Sequence, residues 1–311
     1  MNLKKPLFWN LKKPNFLSYI LIPFTIPIIL NNYLLKIRKK IKFSNIKSIC
    51  VGNIYLGGTG KTSLSLTINK ILNEKKIRTC FIKKFYSNQI DELKILENNG
   101  KLFTSKKRIN SLKQAEKEGY KVAILDDGLQ DFSINYDLKI VCFNNINWIG
   151  NGLTIPSGPL RENIEKIKKY KNVFLNGNDE NVEQIKKYIF EIDPNINVYQ
   201  GKYVPKNLNE FDINENFLVF SGIGNHKTFS AMLKKYGLTI IKEFEFPDHY
   251  EYSKRDINNI LVQANNLNCK IITTEKDFER MRNFKTNDIQ YIKSDLKIVD
   301  EEKLIESIIQ L

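Results

Sequence analysis

The sequence predicts an α/β protein, built on a doubly wound parallel sheet with a second, smaller α/β domain and an N-terminal membrane-associated helical segment. Short apolar segments with strand character alternate with helical segments over residues 43–205 and again over 206–311. A glycine-rich loop separates the first of these strands from the first helix of the body. The first 42 residues contain an uncharged apolar run with Lys and Arg on both sides. We therefore expect three parts, which cover residues 1–42, 43–205 and 206–311.

The apolar run near the N-terminus covers residues 16–30 and reads FLSYILIPFTIPIIL. As one helix it would extend about 22 Å, which is less than the roughly 30 Å hydrocarbon core of a bilayer. Pro23 and Pro27 would also interrupt that helix. Basic residues on both sides and nearby aromatic residues are typical of an interfacial, monotopic element on an anionic membrane surface. The alternative is a hydrophobic helix that packs on the body of the protein.

The positive charge of the chain is concentrated in the same region. The 311 residues carry a formal net charge of +15 at pH 7. The first 73 residues contain twelve Lys or Arg and no Asp or Glu, whereas the remaining 238 contain 37 basic and 34 acidic residues. A nearly neutral body with one basic, apolar segment favours a membrane partner and argues against a nucleic-acid partner.

The strands of the body are predicted from short runs rich in Ile, Val, Leu, Phe and Cys. They cover residues 46–51, 79–82, 122–125, 138–143, 172–175, 217–220, 239–241 and 270–273. The predicted helices cover the segment from the glycine-rich loop to Glu74 and residues 107–119, 227–236, 253–267 and 301–310. A polar stretch at 204–216 marks the expected boundary between the two domains.

Residues able to bind soft metals are few and scattered. They are Cys50, Cys80, Cys142, Cys269, His226 and His249. The cysteines form no CxxC pair, and two histidines do not make a multi-histidine site, so a zinc protein is excluded. We expect the cysteines to be reduced thiols, mostly buried.

The glycine-rich loop predicts a nucleotide site. Its residues are Gly57, Gly58, Thr59, Gly60, Lys61, Thr62 and Ser63, and they follow a strand and open a helix. Glycines allow backbone N–H groups to face phosphate oxygens, and the helix N-terminus favours negative charge. Lys61 can contact the β- and γ-phosphates of ATP, and the Thr62 hydroxyl can bind Mg²⁺. Tyr55 occupies the position of the usual first glycine, but the pattern still indicates a P-loop NTPase-like domain.

Two acidic residues end a later strand of the same domain. Asp126 and Asp127 follow the apolar run 122–125, which is the position of a Walker B carboxylate that holds Mg²⁺. Adjacent side chains on a strand point to opposite sides. We therefore expect one aspartate to face the metal and the other to face a different polar group.

Further motifs go beyond a generic ATPase. They are Val51-Gly52-Asn53, DDGLQ at 126–130, GPLRE at 158–162, SGIGN at 221–225, FPDHY at 246–250 and TTEKD at 273–277. This ordered set resembles the tetraacyldisaccharide 4′-kinase family over nearly the whole chain. The resemblance implies ATP- and Mg²⁺-dependent phosphorylation of the 4′-hydroxyl of tetraacyldisaccharide 1-phosphate, which gives lipid IVA in lipid A biosynthesis. It also implies a peripheral, monotopic location on the cytoplasmic face of the bacterial inner membrane.

The resemblance also implies roles for single residues. Asp91 matches the aspartate that accepts the proton of the attacking hydroxyl, and His249 matches the histidine that orients this base. Thr62, Asp126, Asp127 and Glu162 are expected around the metal. The chain departs from the family pattern at four places: Lys83-Lys84-Phe85-Tyr86 replaces Ser-Arg-Gly-Tyr, Ile90 replaces Gly, and Asp131 and Tyr250 replace His.

A MinD-like membrane-associated partitioning ATPase is the alternative function, because it combines a similar glycine-rich loop with a membrane-binding segment. Such ATPases carry a signature lysine directly before the two glycines, where this chain has Leu56. Their membrane-binding segment is usually C-terminal. The sequence makes no prediction of the oligomeric state or of the preferred acyl chains.

Overall fold

The computed structural model describes residues 5–37, 40–86, 90–178, 181–284 and 287–310, without the side chains of residues 36, 90 and 91. The chain divides into two compact units. Within the described residues, the larger comprises Lys5–Asn176, Val182–Gln200 and Ile298–Leu311, and the smaller comprises Gly177–Asn181 and Gly201–Lys297. The domain boundary expected at 205/206 stays a prediction.

The strands are numbered in chain order. They are β1 (Lys47–Gly52), β2 (Thr79–Lys84), β3 (Leu102–Ser105), β4 (Val122–Asp126), β5 (Leu138–Asn144), β6 (Asn172–Asn176), β7 (Asn197–Pro205), β8 (Asn216–Ser221), β9 (Thr239–Glu245), β10 (Lys270–Thr274), β11 (Ile289–Ile292) and β12 (Ser294–Ile298). Each strand predicted from the sequence is present. The strands β3, β7, β11 and β12 were not predicted, and two of them, β3 and β11, have only four residues each.

The helices alternate with the strands. They are α1 (Phe16–Ile20), α2 (Ile26–Lys36), α3 (Lys61–Glu74), α4 (Ile90–Asn99), α5 (Arg108–Lys117), α6 (Ile167–Tyr170), α7 (Val182–Ile192), α8 (His226–Lys235), α9 (Lys254–Asn266), α10 (Glu275–Arg280) and α11 (Glu301–Ile309). Short 3₁₀ helices lie at Leu7–Asn10, Ile22–Thr25, Ile164–Lys166 and Leu208–Glu210.

An eight-stranded sheet has the order β12-β7-β6-β5-β1-β4-β2-β3. The pairs from β6 to β3 are all parallel, and β1 lies between β5 and β4. Its central strands are continuously buried, because helical crossovers cover both faces of such a sheet. The residues after β1 and after β4 therefore leave the sheet at the same edge, side by side. The predicted doubly wound parallel sheet is confirmed.

A second, four-stranded sheet has the order β11-β10-β8-β9 and is parallel throughout. Its inner strands β8 and β10 are buried, with Phe217 and Phe220 fully enclosed. Helix α9 begins with a capping box between Ser253 and Asp256. This sheet is the smaller α/β part that the alternating pattern predicts.

The N-terminal segment forms two helices instead of one. Helix α1 ends at Ile20, and α2 begins at Ile26 after a 3₁₀ turn that contains Pro23. Pro23 thus interrupts the helix as expected, whereas Pro27 stands in the first turn of α2, where its missing N–H costs nothing. None of the described helices is both long and apolar enough to cross a membrane. The four cysteines are free thiols, and all except Cys269 are buried.

One asparagine fastens the N-terminal segment to the larger unit. The Asn151 side chain is buried and donates hydrogen bonds from Nδ2 to Ser18 Oγ at 3.0 Å and to the Ser157 carbonyl at 3.0 Å. The Trp9 indole donates to the Pro156 carbonyl at 3.0 Å. These bonds hold the N-terminal segment against the loop that leads to the GPLRE motif.

We predict that Asn151→Ala loosens the N-terminal segment. The change leaves buried polar partners unsatisfied, which costs about 1–3 kcal/mol. Local opening should then become at least about fivefold more frequent. The measurement is the rate of tryptic cleavage after the exposed Lys12 without lipid. The exposed Asn110→Ala is the matched control, and equal cleavage rates in the two variants would contradict the fastening role.

Candidate active site

The phosphate loop has the backbone conformation that glycine permits. Gly57 has φ of 135° and Gly60, the residue before α3, has φ of 77°. Residues that carry a side chain rarely adopt such φ angles, so the turn requires glycine at these two positions. Gly57, Gly58, Thr59 and Gly60 form the loop, and Lys61, Thr62 and Ser63 form the first turn of α3. The first N–H groups of a helix have no partner within it, and they suit a bound phosphate.

Hydrogen bonds from neighbouring segments fix this loop. Asn53 Nδ2 donates to the Gly57 carbonyl at 3.1 Å, and Asn176 Nδ2 donates to the Thr59 carbonyl at 3.2 Å. Tyr55, at the position of the usual first glycine, is buried in the core of the larger unit. The loop thus keeps its shape although its first residue is bulky, because the tyrosine side chain packs into the core.

Asp126 lies at the end of β4 beside Thr62. The Thr62 hydroxyl donates to Asp126 Oδ2 at 3.4 Å. The Asp126 side chain is fully buried, and its Oδ1 has no hydrogen-bond partner among the described residues. An unsatisfied buried carboxylate oxygen is costly, and oxygen is the ligand that Mg²⁺ prefers. Thr62 and Asp126 therefore fit a magnesium site.

Asp127 faces a different set of groups, as the alternation of side chains predicts. Its Oδ1 lies 3.2 Å from Arg161 Nη1 and 3.9 Å from Lys61 Nζ. Burial raises the pKa of Asp127, but the positive charges of Lys61, Arg161 and Arg108 outweigh it and lower the pKa below its usual value. The residue also has φ of 57°, which is uncommon outside glycine. Asp127 is therefore an ionised partner of Lys61 and Arg161.

Glu162 follows Arg161 in the GPLRE motif and is buried. It accepts a hydrogen bond from the Tyr170 hydroxyl at 2.9 Å. Across the described residues, no group of three or more His, Cys, Asp or Glu side chains could hold a metal ion by itself. The role of Glu162 near the metal stays a prediction.

The sequence reading did not assign Lys83, which lies at the same site. Its Nζ donates to Asp126 Oδ2 at 2.6 Å and also to Glu92 Oε2 in the first turn of α4. Burial lowers the pKa of Lys83, but the two carboxylates outweigh it and raise the pKa above the usual value. Arg108 was also missed, and it donates to the Asp127 carbonyl at 2.7 Å. The one sequence signal for Lys83 is that a lysine is unusual in a buried strand.

The predicted base, Asp91, lies in the first turn of α4. Its side chain lies outside the described part of the structure, and its catalytic role stays a prediction. The neighbouring residue Glu92 is described, and its contact with Lys83 links this turn to Asp126.

His249 lies in the smaller unit, where three of the sequence motifs meet. Its backbone N–H donates to the Gly222 carbonyl at 3.1 Å, and its φ is 59°. Arg280 Nη2 lies 3.4 Å from His249 Nδ1, and Arg280 Nη1 donates to Asp277 Oδ1 at 3.0 Å. Because arginine can only donate, Nδ1 acts as the acceptor and the neutral ring carries its proton on Nε2. The sequence reading missed Arg280, although it lies one helical turn after Asp277.

Comparison with known proteins agrees with these motifs. The sequence profile of the tetraacyldisaccharide-1-P 4′-kinase family matches residues 19–101 and 91–311. A tetraacyldisaccharide 4′-kinase from Pelagibacter ubique is 59% identical over 313 residues, which cover 100% of this chain and 99% of that protein. A protein of the same name from Rickettsia bellii is 30% identical over 296 residues, which cover 89% of each.

A solved structure shares the fold. The crystal structure of LpxK from Aquifex aeolicus in complex with ATP has 22% sequence identity and a TM-score of 0.65. The match covers 95% of this chain and 99% of that chain. The profile match and the full-length relative support the resemblance seen in the sequence motifs. The chain therefore belongs to the tetraacyldisaccharide-1-P 4′-kinase family.

Proposed function

We propose that this protein transfers the γ-phosphate of ATP to the 4′-hydroxyl of tetraacyldisaccharide 1-phosphate and so produces lipid IVA. The observation that carries this proposal is the meeting of Lys61 and Thr62 with Asp127 and Asp126 at one edge of the parallel sheet. Family membership supports the choice of a lipid disaccharide as the acceptor.

Phosphoryl transfer requires neutralised charge, aligned atoms and a group that accepts the hydroxyl proton. Lys61 and the backbone N–H groups of the phosphate loop bind the phosphates. Thr62 and Asp126 would hold Mg²⁺, which when bound neutralises negative charge on the phosphates. Asp127 holds Lys61 and Arg161 in place, and both cations are available to the transferred group. Charges held in fixed positions by such pairs favour the transition state.

Asp91 is the proposed acceptor of the hydroxyl proton, and His249 is proposed to orient it. The family resemblance supports both assignments. The position of Asp91 beside Glu92, which contacts the Asp126–Lys83 pair, is consistent with a role near the phosphates. The positive φ of His249 and its contact with Arg280 are also typical of a functional residue.

The N-terminal segment is proposed to bind the anionic cytoplasmic face of the inner membrane as a peripheral, monotopic element. Many of its apolar side chains are exposed, among them Phe16 at 78%, Phe24 at 63% and Ile26 at 61%. A patch of this kind on a soluble surface is costly and marks an interaction site. A substrate with four acyl chains stays in the bilayer, because each buried CH₂ contributes about 0.8 kcal/mol. The enzyme must therefore reach the lipid headgroups.

We expect Lys61→Ala to lower the rate of ³²P transfer from γ-labelled ATP to the lipid in detergent micelles by at least about 100-fold, because the phosphates lose their main side-chain cation. The matched control is Lys70→Ala on the exposed side of the same helix, which should keep the wild-type rate. A wild-type protein that labels no lipid in the presence of Mg²⁺ would refute the proposed function.

Asp91→Asn should reduce kcat by about 10²–10⁴-fold and leave ATP binding intact, because only the acceptor of the proton is lost. His249→Ala should reduce kcat less, by roughly tenfold or more, if it acts through the base. Glu97→Gln, exposed on the same helix as Asp91, is the control for helix stability. Normal turnover by Asp91→Asn would assign the base to another residue.

Membrane binding should depend on the exposed apolar side chains of α1 and α2. Ile26→Glu removes an apolar contact worth about 1.5–3 kcal/mol, so the affinity for vesicles that contain anionic lipid should fall by roughly tenfold or more. Co-sedimentation measures it. Ile241→Glu, which replaces an exposed isoleucine of the smaller unit, is the control. Equal binding by the two variants would show that the N-terminal segment is not the membrane contact.

A further inference from the structure

We propose that Lys83 is a positioning residue that joins Asp126 at the end of β4 to Glu92 in the first turn of α4. In this role it directs one oxygen of Asp126 toward the cation site and fixes the turn that contains Asp91. The inference rests on the proposed kinase function, because it assigns a task within the same phosphoryl transfer.

The sheet places Lys83 against Asp126. Strands β2 and β4 are parallel neighbours, and Ile82 is paired with Leu125. The next residues along the two strands, Lys83 and Asp126, are therefore side by side on the same face of the sheet. Lys83 Nζ lies 2.6 Å from Asp126 Oδ2. The contact follows from strand register and does not depend on a flexible surface side chain.

Both side chains of this contact are buried, so each charge needs an opposite charge beside it. The Lys83 side chain is 3% exposed, and that of Asp126 is 0% exposed. A buried ammonium group is unstable without anionic partners, and the carboxylates of Asp126 and Glu92 are the partners of Lys83. Lys83 thus touches both the carboxylate at the end of β4 and helix α4.

The two carboxylate oxygens of Asp126 have different surroundings. Oδ2 accepts hydrogen bonds from Lys83 and Thr62, whereas Oδ1 is the buried oxygen that has no partner among the described residues. The geometry therefore leaves Oδ1 for a cation. The charge of Lys83 also opposes a divalent cation on the same carboxylate. Lys83 should weaken cation binding while it improves the placement of the reacting groups.

Replacement of Lys83 should therefore lower turnover but strengthen Mg²⁺ binding. These opposite changes distinguish a positioning residue from one that only stabilises the fold. In Lys83→Met, kcat at saturating MgATP and lipid should fall by about 10–100-fold, because displacement of reacting groups by about 1 Å costs this much. The Mg²⁺ concentration that half-saturates binding of a non-hydrolysable ATP analogue should fall by about three- to tenfold, because a competing charge is gone. A residue that only stabilises the fold would weaken both properties when replaced.

The experiment measures both quantities, by ³²P transfer in micelles and by isothermal titration with the analogue over a range of Mg²⁺. The variants are Lys83→Met, Lys83→Arg, Glu92→Met and the double variant Lys83→Met/Glu92→Met. Lys94→Met, on the exposed side of α4, is the matched control. If Lys83 acts through Glu92, the double variant should lose no more turnover than Lys83→Met alone.

A kcat of folded Lys83→Met within about twofold of wild type, a higher Mg²⁺ requirement, or additive losses in the double variant would overturn the proposal. If circular dichroism shows that Lys83→Met is unfolded, Glu92→Met and Lys83→Arg test the proposal in its place. Reduced kcat in Glu92→Met, with partial recovery of kcat by the retained charge in Lys83→Arg, supports positioning, whereas wild-type kcat in Glu92→Met overturns it. Failure of the wild type to label lipid would refute the kinase function instead, and the titration with analogue would still test Lys83.

Discussion

The parallel pairing of β1 with β4 is the constraint on which the rest of the site depends. Val51 at the end of β1 is paired with Asp126 at the end of β4. The phosphate loop after β1 and the two aspartates therefore meet at one edge of the sheet, with Lys61 3.9 Å from Asp127. Strand register brings the lysine, the hydroxyl and the carboxylates together.

Opposite charges are paired at this edge of the sheet. Asp127 contacts Lys61 and Arg161, and Asp126 contacts Lys83, so that both aspartates have cationic partners. Removing one partner of such a pair is strongly destabilising, which fixes the geometry. A rigid, charged site of this kind stabilises the charge of a transferred phosphoryl group with little rearrangement. The exposed apolar helices at the N-terminus are proposed to bring this site to a substrate that remains in a membrane.

The sequence predicted the parts that depend on local pattern. The strand, the glycine-rich loop and the helix at Lys61 are contiguous, and the acids at 126–127 directly follow an apolar strand, so both were found. Lys83 was not, because its partner Asp126 is 43 residues away and only the strand order brings them together. Tyr55 departs from the usual loop pattern, and its burial in the core explains why the loop tolerates it. The role of Asp91 follows from resemblance and stays a prediction.

The most direct test of the account is the chemical structure of the lipid after reaction with ATP and Mg²⁺. Tetraacyldisaccharide 1-phosphate is incubated with the full-length protein in detergent micelles, and the recovered lipid is analysed by mass spectrometry and ³¹P NMR. The proposed kinase function predicts one added phosphate, located on the 4′ oxygen, with one ADP formed for each lipid converted. Hydrolysis of ATP with unchanged lipid, as expected of a partitioning ATPase, would contradict it.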